Sequence, residues 1–507
     1  MNHYDVVIVG AGSAGCALAA RLSENPDRSV LLVEAGRDLV NSAEAPDELL
    51  DASAMPGAAD GHAANWTLDA RLTPSRRVSV PRGKVMGGSS TVNGGVFVRA
   101  TAADFDRWAA LGNDEWSFDK VLPFCKRLED DLDFPDSEFH GSGGPMPVLR
   151  AAATDLHPLS EAFVAACAAL DFPVEPDKNS PGTPGCGRLP RNIVAGVRVN
   201  AALAYIVPNR ARDNLTIESQ VTVRRVVMRG SRAVGVEIGR FGSIDTFYGD
   251  EIVLCAGAVM SPQLLMLSGV GPAPQLRDHG ITVVSDLPGV GARCRDHPQV
   301  FLGYEPTRAL PRPVMAGIVE VALDTVVDGA PVALLPYLTS MAELVPGSGA
   351  SPTELVVGVL LERAESAVEV TLESADPQGR PRINYHSLEA EADRVHLRAA
   401  AEIGTAIIDS TAMRRLGLRR TSPGPHAELS AWITDNITTA VHLCSSAPMG
   451  PDTDPMAVVD QYCRVRGVEG LRVVDTSVLP TAPSRGPAAT AVLIGERAAA
   501  FFDGRLP

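Results

Sequence analysis

The run Val6-Val7-Ile8-Val9-Gly10-Ala11-Gly12-Ser13-Ala14-Gly15, answered by Leu31-Leu32-Val33-Glu34, constrains this chain more than any other. An apolar strand, a glycine turn, an Ala-rich helix (Cys16 to Leu22) and a second strand ending in an acid spell a dinucleotide-binding βαβ unit. Gly10 allows the tight turn out of the strand, Gly12 lets backbone approach a pyrophosphate, and Gly15 lets the helix lie close on the sheet. Gly12, Ser13 and Ala14 then present free N–H groups and the positive end of the helix dipole to phosphate. Glu34 is placed to accept hydrogen bonds from both ribose hydroxyls and would repel a 2′-phosphate, so FAD or NAD is expected over NADP. The turn itself does not separate a flavin from a nicotinamide.

A chain of 507 residues is long enough for two closely associated domains. Its net charge of −16 and pI near 5.1 exclude a basic nucleic-acid footprint, so no nucleic-acid partner is expected. The eight cysteines are scattered with no C-x-x-C pair, which points to neither a metal site nor a disulfide framework. Met1 to Asp5 carry no signal-peptide pattern and no apolar run reaches bilayer length. The expected location is cytoplasmic, with no transmembrane segment and with peripheral membrane contact left open.

Residues 39–69 read as loop with short helical pieces. The stretch Arg76 to Gly95, with Arg82 and Lys84 among Gly83, Gly87, Gly88, Gly94 and Gly95, brings backbone N–H groups within reach of an anion or a planar ring. Helical patterning covers 102–128, 158–170 and 198–205. Strands are expected at Leu215–Glu218, Val223–Met228, Ala233–Glu237 and Asp250–Leu254. From Phe301 to Leu418, alternating segments at 319–323, 332–335, 355–361 and 368–372 predict a mostly antiparallel sheet that could wall a substrate cavity. Helices are expected over 387–408 and 488–502.

Several blocks together resemble the GMC (glucose-methanol-choline) flavoprotein oxidoreductases from end to end. Arg82-Gly83-Lys84 to Asn93 is similar to the first signature of that family, and Gly257 to Gly271 to its second. Asp286 to Gly291 with Asp296-His297, His442 to Gly450, and Asp475 to Pro480 are similar to further blocks. The resemblance implies FAD and an α/β fold, mixed α+β in detail: a Rossmann-like FAD domain with a second substrate domain on a mostly antiparallel sheet. It implies a discontinuous FAD domain (1–155, 195–300 and 435–507), a connecting or lid segment (156–194) and a substrate domain (301–434).

Carried over by position, Gly10, Gly12, Ser13, Ala14 and Gly15 would hold the pyrophosphate, and Glu34 with Ala35 the ribose. Arg82, Gly87, Gly88, Asn93, Gly94, Gly95 and Val96 would line the flavin. Val223 would meet the adenine, while Ala256, Asp475 and Thr476 would complete the cofactor site. Val92 stands where some members carry the histidine that binds flavin covalently, so non-covalent FAD is expected. His442 matches the catalytic histidine, which as general base would take the hydroxyl proton while hydride leaves the alcohol carbon for flavin N5.

The tail departs from the family pattern. Where a second catalytic His or Asn usually stands, Pro483-Ser484-Arg485-Gly486-Pro487-Ala488-Ala489-Thr490 places an alanine, Ala488 or Ala489. This tail, with Val459-Asp460-Gln461-Tyr462 upstream, also resembles the mycofactocin-associated subgroup. That resemblance implies oxidation of a reduced, peptide-derived redox cofactor and electron flow to a respiratory acceptor. The alternatives are an alcohol oxidase using dioxygen, a hydroxynitrile-lyase-like protein in which FAD is not redox-active, and an FAD-binding protein without catalysis. The partner is a small-molecule alcohol or reduced redox cofactor, and the electron acceptor is unassigned.

Overall fold

In the computed structural model, residues 3–39, 47–240, 242–314 and 316–502 are described. The predicted βαβ unit forms as β1 (His3–Val9), α1 (Ser13–Leu22) and β2 (Val30–Val33). Both strands bury their apolar runs on two faces, as a parallel sheet covered on both sides requires. Gly10 has φ +102°, and a Cβ on Gly15 would lie 2.0 Å from the Gly10 carbonyl oxygen. Only glycine therefore lets α1 settle on the strand.

The sheet continues with β3 (Leu215–Glu218), β4 (Thr222–Arg229), β5 (Arg232–Arg240) and β6 (Ser243–Leu254) in the order β3-β2-β1-β6-β5-β4. The strand Leu471–Val473 pairs with β6 in parallel. The helix α2 (Gly257–Leu267) follows β6. Segments far apart in the chain thus share one layer.

A second layer holds β7 (Pro298–Pro306), β8 (Val321–Val327), β9 (Ala330–Pro336) and β10 (Leu355–Leu361), an antiparallel sheet edged by the strand Cys186–Arg188. Val300, Leu302, Val357, Val359 and Leu334 turn to one face, where they pack under α3 (Glu391–Ile408). A Cβ on Gly404 would meet Leu302 Cδ1 at 2.5 Å, so this glycine brings helix and sheet together. Beyond α3, β11 (Leu418–Ser422) pairs with β7. The terminal helix α4 (Ala488–Phe502) lies against α1, where a Cβ on Gly495 would meet the Ala14 carbonyl oxygen at 2.3 Å.

Three local expectations differ from the structure. The helix expected over 102–128 is two helices, Ala102–Ala110 and Phe118–Leu128, broken after Gly112 turns to φ +92°. The helix expected over 198–205 reduces to one π-helical turn at Ala202–Ile206. Its start is pinned because the buried Arg198 guanidinium donates to the carbonyls of Leu49, Asp51, Ala54 and Thr91. The segment 156–194 is built into the second layer and does not stand free as a lid. Its helix Pro158–Ala169 buries Leu159, Phe163, Ala166 and Cys167 in that core, at about 1.5–3 kcal/mol for each large apolar side chain. Likewise Leu68–Arg71 pairs with Arg382–Asn384, joining the N-terminal segment to the second layer.

Among the described residues no helix is long and apolar enough to cross a membrane. Glu129, Asp131 and His140 could each offer a metal one ligand atom, but cationic side chains already serve these carboxylates. Arg99 pairs with Glu129, and Arg150 with Asp131 (2.9 Å) and Asp177 (2.9 Å). His140 Nδ1 reaches Glu129 at 2.8 Å and Asp131 at 3.0 Å, and Nε2 reaches Asp177 at 2.7 Å. Burial opposes charging the ring, but these carboxylates outweigh it and push the His140 pKa up to about 10. Because the folded value is raised, the stabilisation is complete below the ordinary histidine range and is lost as pH rises through about 10. His140→Gln should therefore melt lower than wild type at pH 7, by about 3 kcal/mol of stability. In thermal melts from pH 6 to 11 that gap should close above pH 10.

Candidate active site

At the N-terminus of α1 the N–H groups of Gly12, Ser13, Ala14 and Gly15 have no acceptor among the described residues; the next amide, Cys16, already donates to Gly12. Four unpaired donors in a row form an anion site. Glu34 Oε2 accepts from the Ala11 N–H (2.9 Å) and Oε1 from the Gly36 N–H (2.8 Å). Burial raises its pKa to about 7 against those bonds. A carboxyl poised near neutrality can both accept from and donate to a ribose diol.

The other carried-over residues join this turn through direct contacts. Gly87 donates to the Ala11 carbonyl at 2.7 Å, and a Cβ on Gly88 would lie 2.7 Å from Gly12 Cα. Gly10 lies against Ala256, and Val221, two residues before Val223, donates to the Glu34 carbonyl at 3.0 Å. Ala35 and Val223 are half-buried. Asn93 Oδ1 accepts from Gly95, whose carbonyl accepts from Asn192. Gly94 faces Ile318, and Val96 bridges to Arg191, so this stretch runs on towards the second layer. The cradle shows bare N–H donors, a buried acid at the end of β2 and glycines where side chains would block approach. It fits a dinucleotide.

Asp475 is buried where the C-terminal block meets the start of α2. Its carboxylate accepts from the Gly257 N–H (2.8 Å), Ser261 Oγ (2.6 Å), Ser477 N–H (2.8 Å) and Ser477 Oγ, which ties the start of α2 to the C-terminal block. The half-buried Thr476 accepts from the Ser445 N–H at 3.0 Å.

His442 enters the site because residues 295–297 and 440–444 zip together as antiparallel backbone. Cys444 and Arg295 exchange hydrogen bonds of 2.8 and 2.9 Å, and Ala440 donates to the His297 carbonyl at 2.9 Å. Asp296 locks the pairing by accepting from the His297 N–H (2.6 Å), His442 N–H (2.8 Å), Thr439 Oγ1 (2.9 Å) and Tyr385 Oη (2.6 Å). Between them Val441 is forced to φ +57°, a strained conformation for a β-branched residue. It is held by Thr439 Oγ1, which accepts from its N–H (2.8 Å), and by the Arg82 guanidinium, which donates to its carbonyl. Arg82 thus shapes the backbone beneath the histidine.

The two imidazoles meet at 2.9 Å, Nδ1 to Nδ1, with rings at 86°. His297 Nε2 lies 3.0 Å from the Pro483 carbonyl oxygen. A carbonyl only accepts, so His297 carries its proton on Nε2 and leaves Nδ1 as acceptor. His442 must then carry its proton on Nδ1, which leaves its Nε2 lone pair bare. Burial, reinforced by the neighbouring His297 and Arg82, holds the His442 pKa well below the ordinary histidine range; burial likewise lowers that of His297. Both rings are neutral at pH 7, so His442 is a ready base.

Gly486, not Ala488 or Ala489, is the tail residue beside that base: a Cβ there would sit 3.4 Å from His442 Cε1 and 3.7 Å from Nε2. Ala489 instead lines a small internal cavity with Arg99, Phe105 and Leu493. Ser484 is anchored on Asp104 (2.7 Å), and Arg485 turns away to Glu175 and Asp324 (3.2 Å). The upstream residues of the same tail pattern have packing roles. The Gln461 carbonyl accepts from Trp116 Nε1 (2.8 Å), and Tyr462 packs edge-on against Phe501. Asp296, His297 and Tyr385 were not identified as site residues from sequence. The Asp296-His297 pair stands in a recognised block, but nothing local says that it meets His442.

A two-layer α/β fold with a dinucleotide cradle and a buried, neutral histidine fits a dinucleotide-dependent oxidoreductase. The N-terminal GMC oxidoreductase family region matches residues 4–299, and the C-terminal region matches 364–495. An uncharacterized GMC-type oxidoreductase of Rhodococcus erythropolis is 41% identical, over 99% of each chain. An oxygen-dependent choline dehydrogenase of Vibrio vulnificus is 34% identical over 100% of this chain and 95% of its own. Among solved structures, a pyridoxine 4-oxidase from Mesorbium loti superposes with a TM-score of 0.90 at 30% identity, covering 99% of both chains. The chain belongs to the GMC oxidoreductases and is an FAD-dependent enzyme of that family.

The Gly88–Gly12 approach leaves no room for a methyl group at a residue with φ +54°. Gly88→Ala should purify with clearly less than one flavin per chain, read as the ratio of flavin to protein absorbance. Full occupancy would show that this glycine does not border the cofactor.

Proposed function

We propose that this enzyme oxidises a small-molecule alcohol, with His442 as the general base and FAD held without a covalent bond. The observation that carries the reading is the bare Nε2 of a buried, neutral His442, its tautomer set by the chain His442 Nδ1–H, His297 Nδ1, His297 Nε2–H and the Pro483 carbonyl. Bound FAD supplies the hydride acceptor. The residues of the chain handle the proton.

The substrate hydroxyl donates to His442 Nε2, which takes its proton as the carbinol hydrogen departs. Without that transfer the product would be a protonated carbonyl, which is high in energy. The imidazolium formed keeps its Nδ1–H on the His297 Nδ1 acceptor. With no carboxylate directly behind it, the base keeps a low proton affinity and gives the proton up readily. Asp296 and Arg82 hold the backbone that aims the ring. The relatives named for choline and pyridoxine support an alcohol as substrate.

His442→Ala should retain FAD but lose anaerobic bleaching of the flavin by alcohol, by about 10²-fold or more. Bleaching at the wild-type rate would overturn the assignment of the base, and turnover without bleaching would favour lyase chemistry. In wild type the bleaching rate should stay flat through neutral pH and fall only below the ordinary histidine range, because the lowered pKa keeps Nε2 unprotonated into acid. Val92 offers no nucleophile and packs against Gly57. Acid precipitation should accordingly leave all flavin in the supernatant, and a yellow pellet would disprove non-covalent binding.

A further inference from the structure

The face of the antiparallel sheet opposite α3 carries a polar group that the proton chain does not use. In the β7–β10 ladder Gln299 pairs with Leu360 and Val300 with Val359. Continued by two residues, that register sets Glu362 opposite His297, and the Glu362 N–H still pairs with the Pro331 carbonyl at 3.0 Å. Strand alternation then puts Gly358, Leu360 and Glu362 on the face shared by His297, Gln299 and Phe301. Phe301 and Tyr337 meet edge-on there, with ring centroids 5.7 Å apart. Val356 and Leu360 on this face are buried.

Glu362 is only 3% exposed, and its carboxyl makes no hydrogen bond or ion pair among the described residues. Its oxygens are not sealed in, as those of Glu129 Oε2 and Glu320 Oε1 are. The neighbouring charges are already matched to one another: Lys178 bonds Glu175 (2.6 Å) and Asp324 (2.7 Å), and Arg485 bonds the same two acids. Burial, with Asp324 close by, drives the Glu362 pKa well above the carboxylate range despite Arg485 and Lys178, so the group is a neutral acid with one O–H donor and one acceptor. An unmatched carboxyl this deeply buried is costly unless something else satisfies it.

We propose that Glu362 is a substrate-recognition residue, binding a second polar group, a hydroxyl or N–H, on an alcohol whose carbinol end lies at His442. This rests on the alcohol-oxidation reading. Arg485 electrostatically links the subsite to the tail, one residue before the open position at Gly486. There the family pattern puts a second side chain on the substrate, and here Glu362 supplies the second polar contact. The enzyme should therefore discriminate by a second polar group on the substrate.

The test compares flavin reduction of the holoenzyme by matched alcohols, benzyl alcohol with 3-hydroxybenzyl alcohol and 1-butanol with 1,4-butanediol. Wild type should favour at least one hydroxylated partner by about tenfold or more in kcat/KM. Glu362→Leu should bring that ratio towards one, mainly through KM, and Glu362→Gln, which keeps a donor and an acceptor, should restore most of it. Thermal melts should show no loss of stability in Glu362→Leu, since no bond within the protein is broken. Reduction by both partners with an unchanged ratio in Glu362→Leu overturns the subsite alone. Failure of every alcohol to reduce wild-type flavin overturns the alcohol-oxidation reading and the subsite with it.

Discussion

The four hydrogen bonds accepted by Asp296 hold together the histidine pair of the candidate active site. One buried carboxylate joins the segment entering the antiparallel sheet, the segment bearing His442, and Tyr385 from the strand system beneath. Charge-assisted bonds to buried donors are among the strongest available to a fold, and an amide in place of the carboxylate could accept at only half of its positions. The strained backbone at Val441 persists because its neighbours are fixed on both sides.

From that clamp follows the acid–base behaviour of the site. Zipping 295–297 onto 440–444 brings two imidazoles face to edge, and the Pro483 carbonyl decides where the protons sit. Burial keeps both rings neutral. A histidine backed by a carboxylate would bind its proton more firmly, whereas His442 backed by neutral His297 has a weaker hold and a bare Nε2 across the neutral range. Elsewhere buried charges are arranged for the opposite end: around His140 two arginines and one imidazolium answer a group of acids, and those residues tie chain segments together.

Much of this architecture was legible in the order of residues. The βαβ turn, Glu34, the glycines at 87 and 88 and the strands of the second layer have local signatures, because backbone conformation and strand alternation depend on near neighbours. Boundaries were less legible. The segment 156–194 reads as polar connecting chain, yet its helix has an apolar face that only the second core could cover. Residues 102–128 read as one helix until Gly112 turned the chain. Aligning the tail by pattern pointed to Ala488 and Ala489, whereas the coordinates put Gly486 at the base, since a terminal helix starting at Ala488 carries those alanines past the site.

The sequence by itself pointed to the cofactor cradle, the family and the histidine proposed as base, because each resides in contiguous residues whose spacing is the chemistry. The tertiary structure decided what surrounds that histidine: His297, 145 residues away, as the group that sets its tautomer, and an empty position at Gly486. Those relations depend on strand register and on the zipping of distant segments. Protonation state depends on burial, which no local pattern of residues encodes.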